Sequence, residues 1–169
     1  PADIALGEIN GTAGIDAVVA LNESGPRPLI GDNTGLFTVN SALGSASSLW
    51  ATSLVLADIN GDTVLDIVSN KFVSKGTGSG TFGTAVTHGI PSCTQVTAAD
   101  VNSDGDIDVI CSVSSASVAV ATGNGDATFQ APVNLAVRSN PRGLAVADLN
   151  GDGRRDIVVG GSGDSYLTV

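Results

Sequence analysis

The chain has 169 residues, enough for one domain with a core of its own, and a formal net charge of −10 from 17 acidic and 7 basic side chains. That balance argues against nucleic acid and against an anionic membrane as partners, since both are met by a basic footprint. Glycine is abundant at 22 residues, methionine is absent and aromatic residues make up only 4%; the apolar set is small or β-branched, which favours sheet over helix. No stretch has the 3.6-residue period of a long amphipathic helix, and no run of 18 apolar residues is present. Without an initiator methionine or a signal peptide, the chain reads as a mature or excised segment of something longer.

In chain order, one unit recurs four times. Glu8-Ile9-Asn10-Gly11-Thr12 leads to Asp16-Ala17-Val18-Val19, and Asp58-Ile59-Asn60-Gly61-Asp62 leads to Asp66-Ile67-Val68. Asp100-Val101-Asn102-Ser103-Asp104-Gly105 leads to Asp108-Val109-Ile110, and Asp148-Leu149-Asn150-Gly151-Asp152-Gly153 leads to Asp156-Ile157-Val158. The first positions are separated by 50, 42 and 48 residues. A second marker, Gly35-Leu36-Phe37, Gly80-Thr81-Phe82 and Ala127-Thr128-Phe129, follows each of the first three copies. Two markers in register establish an internal repeat.

Each unit reads as four short strands. In the third they are Val96–Ala99, Asp108–Val113, Ser117–Thr122 and a fourth from about Phe129 through Leu135. A period of 40–50 residues holding four antiparallel strands is that of a propeller blade. The expected architecture is therefore all-β: one repeat domain over 1–169, a propeller-like array of four four-stranded blades at about 1–47, 48–92, 93–137 and 138–169. The last blade is expected to lack its outer strand, because Tyr166-Leu167-Thr168-Val169 aligns with a third strand.

The loops carry the chemistry. In Asp148–Asp156, oxygen-bearing side chains stand at positions 1, 3, 5 and 9, and glycines at positions 4 and 6 permit a tight, partly left-handed backbone. Alternate-residue oxygen donors suit a hard cation such as Ca²⁺, which takes six to eight of them. Ten of the 17 carboxylates lie in the second, third and fourth loops, and three divalent ions would bring the net charge to about −4.

The run D-x-N-x-D-G-x-x-D-I-V, with a G-N-G-D-x-x-F turn downstream, resembles the FG-GAP/VCBS repeat, a family of integrin-α-like β-propellers that bind Ca²⁺ between the first two strands of a blade. The resemblance implies Asp148, Asn150, Asp152 and Asp156 as ligands, with the carbonyl of Arg154. It implies likewise Asp100, Asn102, Asp104 and Asp108 with the carbonyl of Asp106, and Asp58, Asn60, Asp62 and Asp66 with that of Val64. The first copy departs from the pattern: Glu8 and Thr12 replace two Asp, and Ala13 stands where Gly is usual. Weak or no binding is expected there, with the turn held by hydrogen bonds. In the second copy Thr63 replaces the second loop Gly.

Other signals are weaker. Cys93 and Cys111 flank one hairpin and either pair as a disulfide or rest as free buried thiols. Asn10-Gly11-Thr12 and Asn22-Glu23-Ser24 fit the N-glycosylation pattern, with Asn22 the better candidate. His88 is the only histidine, and without an evident nucleophile partner it argues against a hydrolytic triad. Arg138, Arg142, Arg154 and Arg155 are the only basic concentration, read as solvated loop residues balancing nearby acids. Trp50 and Tyr166, widely spaced, give little support for stacking sugars.

The expected function is that of a non-enzymatic, extracellular, Ca²⁺-stabilised structural or adhesion module. Its expected partners are proteins, including copies of itself joined head-to-tail at the open blade edge, or glycans. A lectin-like propeller is the alternative, and a recognition part of a larger secreted enzyme a third reading.

Overall fold

The computed structural model describes residues 2–21, 25–40, 50–91, 93–113, 116–138, 140–161 and 167–168. Among them there is no helix, so no helix is long and apolar enough to cross a membrane. Fourteen strands form four antiparallel sheets, one per repeat. The first sheet holds β1 (Asp3–Gly7), β2 (Asp16–Ala20), β3 (Arg27–Gly31) and β4 (Phe37–Val39). The second holds β5 (Leu54–Ala57), β6 (Asp66–Ser69) and β7 (Val73–Ser74). The third holds β8 (Cys93–Ala99), β9 (Asp108–Val113), β10 (Ser117–Ala121) and β11 (Val133–Ala136). The fourth holds β12 (Pro141–Ala147), β13 (Asp156–Gly161) and β14 (Leu167–Thr168). Within every sheet, strands pair in sequence order.

The second sheet differs from the four strands expected. Its outer strand is reduced to a bridge, in which Val73 and Val86 exchange both backbone hydrogen bonds at 2.8 and 2.9 Å. The segment around it holds Gly76, Gly78, Gly80, Gly83, Gly89 and Pro91; such residues supply few side chains to pack and, for Pro, no ladder donor. Strand β8 starts earlier than expected, at Cys93, through a bulge between Cys93 and Gln95.

Successive sheets pack face to face. First strands lie beside one another, β1 against β5, β5 against β8 and β8 against β12. The second strands of the two inner sheets, β6 and β9, are covered on both faces and buried along their whole length, which is why they read as apolar runs instead of alternating. Between the first two sheets, Leu54, Leu56, Leu65 and Phe82 meet Ile9, Val18 and Ile30. Between the second and third, Val96, Ala98, Ile107 and Phe129 meet Ile59, Val68 and Val73. Between the third and fourth, Leu144, Val146 and Val159 meet Val101, Ile110 and Val118. Backbone N–H donors stitch the first two joints: Leu54 N–H donates to Asp3 Oδ2 at 3.0 Å, Val96 N–H to Ser53 Oγ at 3.3 Å and Gly80 N–H to the Ile9 carbonyl at 2.8 Å. Cys93 and Cys111 form a disulfide in the second joint, with Cα atoms 5.3 Å apart.

Candidate metal centre

Each loop joins the first strand of its sheet to the second, and the ninth loop residue opens that second strand. This residue is always Asp, and it fastens the loop from inside. Asp108 Oδ2 accepts the Val101 N–H at 2.9 Å and Oδ1 accepts the Gly123 N–H at 2.9 Å. Asp66 takes Ile59 N–H at 2.9 Å and Gly76 N–H at 2.7 Å. Asp16 takes Ile9 N–H at 3.0 Å and Gly31 N–H at 2.9 Å. Asp156 takes Leu149 N–H at 2.9 Å. In the first three loops one carboxylate thus ties the loop's second residue to the end of the third strand.

Gly31, Gly76 and Gly123 are the partners that sequence reasoning missed. A Cβ on any of them would run into the carbonyl oxygen of the residue before the clamping Asp, at Ile15, Leu65 and Ile107 respectively. The signal was present: these three glycines stand at a constant offset of six residues before Phe37, Phe82 and Phe129.

The remaining ligand candidates crowd over the loop's own amides. Asp148 Oδ1 accepts Gly151 N–H at 2.7 Å and Oδ2 accepts Gly153 N–H at 2.9 Å, Asn150 Oδ1 accepts Asp152 N–H at 2.8 Å and Asp152 Oδ1 accepts Arg154 N–H at 2.8 Å. The third loop repeats this arrangement: Asp100 takes Ser103 and Gly105 N–H, Asn102 takes Asp104 N–H and Asp104 takes Asp106 N–H. In the second, Asp58 takes Asp62 and Thr63 N–H, Asn60 takes Asp62 N–H and Asp62 takes Val64 N–H. The amide of the third residue also donates to the fifth in all three loops, Asn60 to Asp62, Asn102 to Asp104 and Asn150 to Asp152.

Backbone shape follows the same division. Positions 4 and 6 are left-handed in the second, third and fourth loops: Gly61 and Thr63, Ser103 and Gly105, Gly151 and Gly153. In the first loop Gly11 is left-handed but Ala13 is not. There Glu8 Oε1 accepts the Asn10 and Gly11 N–H groups, and Asn10 Oδ1 accepts Thr12 N–H at 2.7 Å. This turn is closed by hydrogen bonds. The Asn10 amide points back into it, 3.4 Å from Asp16 Oδ1. Asn22, Tyr166 and Val169 lie outside the described residues.

Electrostatically the loops hold concentrated negative charge. The Gly153 N–H is the main cause that keeps the Asp148 carboxyl below the usual carboxylate range, and the Val64 N–H does the same for Asp62. Burial pushes Asp108 up, with further upward pressure from the charges of Asp104 and Asp100; Asp66 is raised by burial and then by Asp62 and Asp58. The carboxylates of one loop therefore feel each other. Among the described residues, no three acidic, His or Cys side chains form a metal-holding group. The side-chain donors that each of these loops gathers over its amides are two carboxylates and one Asn oxygen. An all-oxygen set of this kind fits a hard cation and not a soft one.

A cavity lies between the third and fourth loops, lined by Thr97, Asp100, Ser103, Val146, Gly153 and Arg155 among others. It offers polar groups but no aromatic ring on which a sugar would stack. Trp50 is 55% exposed elsewhere.

Residues 100–159 match the model of the FG-GAP-like repeat family, and the expected resemblance holds over that stretch. No curated protein matches the chain. The fold is similar to part of the Photorhabdus luminescens Tc holotoxin pore, with a TM-score of 0.56 and 20% identity over 97% of this chain and 8% of that one. A second similarity is to the V. cholerae biofilm matrix protein Bap1, with a TM-score of 0.49 and 15% identity over 94% of this chain and 28% of that one. The chain spans less than a third of either protein.

Proposed function

We propose that this chain is an extracellular, non-enzymatic sector of a β-propeller-like array, stapled by Ca²⁺ and serving a structural or adhesion role. The observation that carries this reading is the hydrogen-bond pattern common to the second, third and fourth loops. Three separate sequences fold the same carboxylates and amide over the same three turns, each at the joint of first and second strands. A catalytic cleft needs one constellation, whereas repeated identical sites at structural joints suit staples. The neighbouring first strands and the two-sided packing of β6 and β9 support a radial array. The FG-GAP-like match supports the repeat character.

In this reading Asp58, Asn60 and Asp62, Asp100, Asn102 and Asp104, and Asp148, Asn150 and Asp152 face the ion. Asp66, Asp108 and Asp156 set the loop ends, each with lone pairs left for the ion. The ion would neutralise carboxylates that otherwise repel one another. Binding to the folded state alone stabilises by about 2.7 kcal/mol per site at a hundredfold excess over Kd. Thermal melting with Ca²⁺ and with EDTA tests this: Tm is expected to fall on chelation and to recover on adding Ca²⁺. An unchanged Tm would remove the staple. A glycan array without hits would dispose of the lectin alternative, which the ring-free cavity does not favour.

A further inference from the structure

We propose that the outer face of the first sheet is a docking surface for the fourth sheet of a second copy of this chain, so that copies stack head-to-tail. This rests on the reading of the chain as a structural array, and it names the surface and the occupant. Ile4, Leu6, Ile15 and Phe37 stand at the same repeat positions as Leu54, Leu56, Leu65 and Phe82 of the second sheet, and as Val96, Ala98, Ile107 and Phe129 of the third. In those two sheets the positions are packed against the preceding sheet. On the first sheet they are bare: Ile4 is 56% exposed, Leu6 62%, Ile15 63% and Phe37 48%, against 2% for Leu54 and 4% for Phe82. Four large apolar side chains are thus exposed at joint positions of one sheet, and apolar surface gathered in this way marks an interaction site.

The same chain carries the counterpart. Ile9 and Ile59 are the residues that the first and second sheets send into the next joint, each 2% exposed. Leu149 stands at that position in the fourth loop and is 58% exposed. The polar stitch has its equivalent too. Gly80 N–H donates to the Ile9 carbonyl across the first joint. Gly35 is the first-sheet equivalent of Gly80, left-handed like it and with open space where a Cβ would stand. A copy placed as the preceding sheet would bring its Leu149 carbonyl to Gly35 and its Leu149 side chain to Phe37. The contact joins two different faces, so it is heterologous and propagates into a ring or a filament. It uses sheet faces, and is separate from any strand added at the edge of β14.

The test is sedimentation of the 169-residue chain in Ca²⁺ over a rising concentration series. Mass is expected to grow with concentration for the unaltered chain and to stay at one copy for Phe37→Asp and for Leu149→Asp. Both side chains are exposed, so both variants are expected to keep the circular dichroism and Tm of the parent. Leu36→Cys and Leu149→Cys chains, mixed under mild oxidation, are expected to give a mixed disulfide-linked pair far in excess of either self-pair, the two native cysteines being bonded already. A chain that stays monomeric throughout overturns the proposal, as does association that survives Phe37→Asp. The outcome is independent of the chelation experiment, since a monomer can still lose Tm in EDTA.

Discussion

Asp108 and Gly123 are 15 residues apart and meet through a 2.9 Å hydrogen bond from the glycine N–H to Oδ1, inside the protein, while Oδ2 holds the Val101 N–H. One fully buried carboxylate thus closes the loop below it and anchors the third strand beside it. Asp108→Ala leaves two backbone donors without their acceptor, and is expected to cost about 3–5 kcal/mol, at about 1–3 kcal/mol per unsatisfied buried group with cavity cost added. Asp156 is only half-buried, so Asp156→Ala is expected to cost about 1 kcal/mol. Urea denaturation of both variants, in Ca²⁺ and in EDTA, gives the ranking; equal losses in EDTA would contradict the clamp.

Thr63 occupies a left-handed conformation at φ +70°, where the third and fourth loops have Gly105 and Gly153. A β-branched residue there carries about 1–2 kcal/mol of strain. Thr63→Gly is therefore expected to raise stability by about 0.5–1 kcal/mol, since the added freedom of glycine in the unfolded chain offsets part of the relief. Gly153→Thr is expected to move stability the other way. A Thr63→Gly variant less stable than its parent would locate the strain elsewhere.

The repeat, the strand order within each unit and the loops were legible because they depend on local pattern: oxygen donors at alternate positions, glycine where the backbone turns left-handed, apolar runs after each ninth-position Asp. The role of that Asp was not. Alternate spacing marks position 9 as a cation ligand and is silent on its hydrogen bonds, which reach seven residues back and ten to fifteen residues ahead. Nothing in the loop sequence announces a partner on another strand. The missing outer strand of the second sheet is a similar case, because pairing of Val86 with Val73 depends on how far the Gly-rich turn lets the strands run together. The bare face of the first sheet is invisible in sequence, where Ile4 and Leu54 look alike.

Cys93 and Cys111 close a loop of 18 residues at the joint of the second and third sheets. Constraining the unfolded chain over that span is expected to contribute about 3 kcal/mol. Reduction, or the double change Cys93→Ala with Cys111→Ala, is expected to lower the urea midpoint without altering circular dichroism. Mass analysis under non-reducing conditions checks the bond directly: two free thiols in the folded protein would refute it.

Calorimetric titration of the chelator-stripped protein with Ca²⁺ is expected to give three sites. Asp104→Ala and Asp152→Ala are each expected to remove one, and Glu8→Ala none, because Glu8 is taken up by the Asn10 and Gly11 amides. Each lost site is expected to reduce the Ca²⁺-dependent gain by about 2.7 kcal/mol at a hundredfold excess over Kd. A fourth site lost in Glu8→Ala would mean that the first loop binds after all.

His88 is buried with both ring nitrogens engaged: Nε2 lies 3.1 Å from the Ser69 carbonyl and Nδ1 accepts the Ile90 N–H at 3.2 Å. A carbonyl on one side and an N–H on the other fit the neutral Nε2–H tautomer alone. Burial lowers its pKa below the ordinary 6.5, against a smaller upward pull from Ser69. The folded state therefore resists protonation while the unfolded chain accepts it, so stability is full above about pH 6.5 and declines as pH falls towards the folded-state value. The slope in that window approaches 1.4 kcal/mol per pH unit at most. His88→Gln is expected to lose about 1–3 kcal/mol at pH 8 through imperfect pairing and to flatten the profile between pH 6.5 and 5. Melting both proteins across pH 5–8 in excess Ca²⁺ isolates this histidine, because parent and variant carry the same carboxylates. Parallel profiles for parent and variant would show that His88 does not set the acid side of stability.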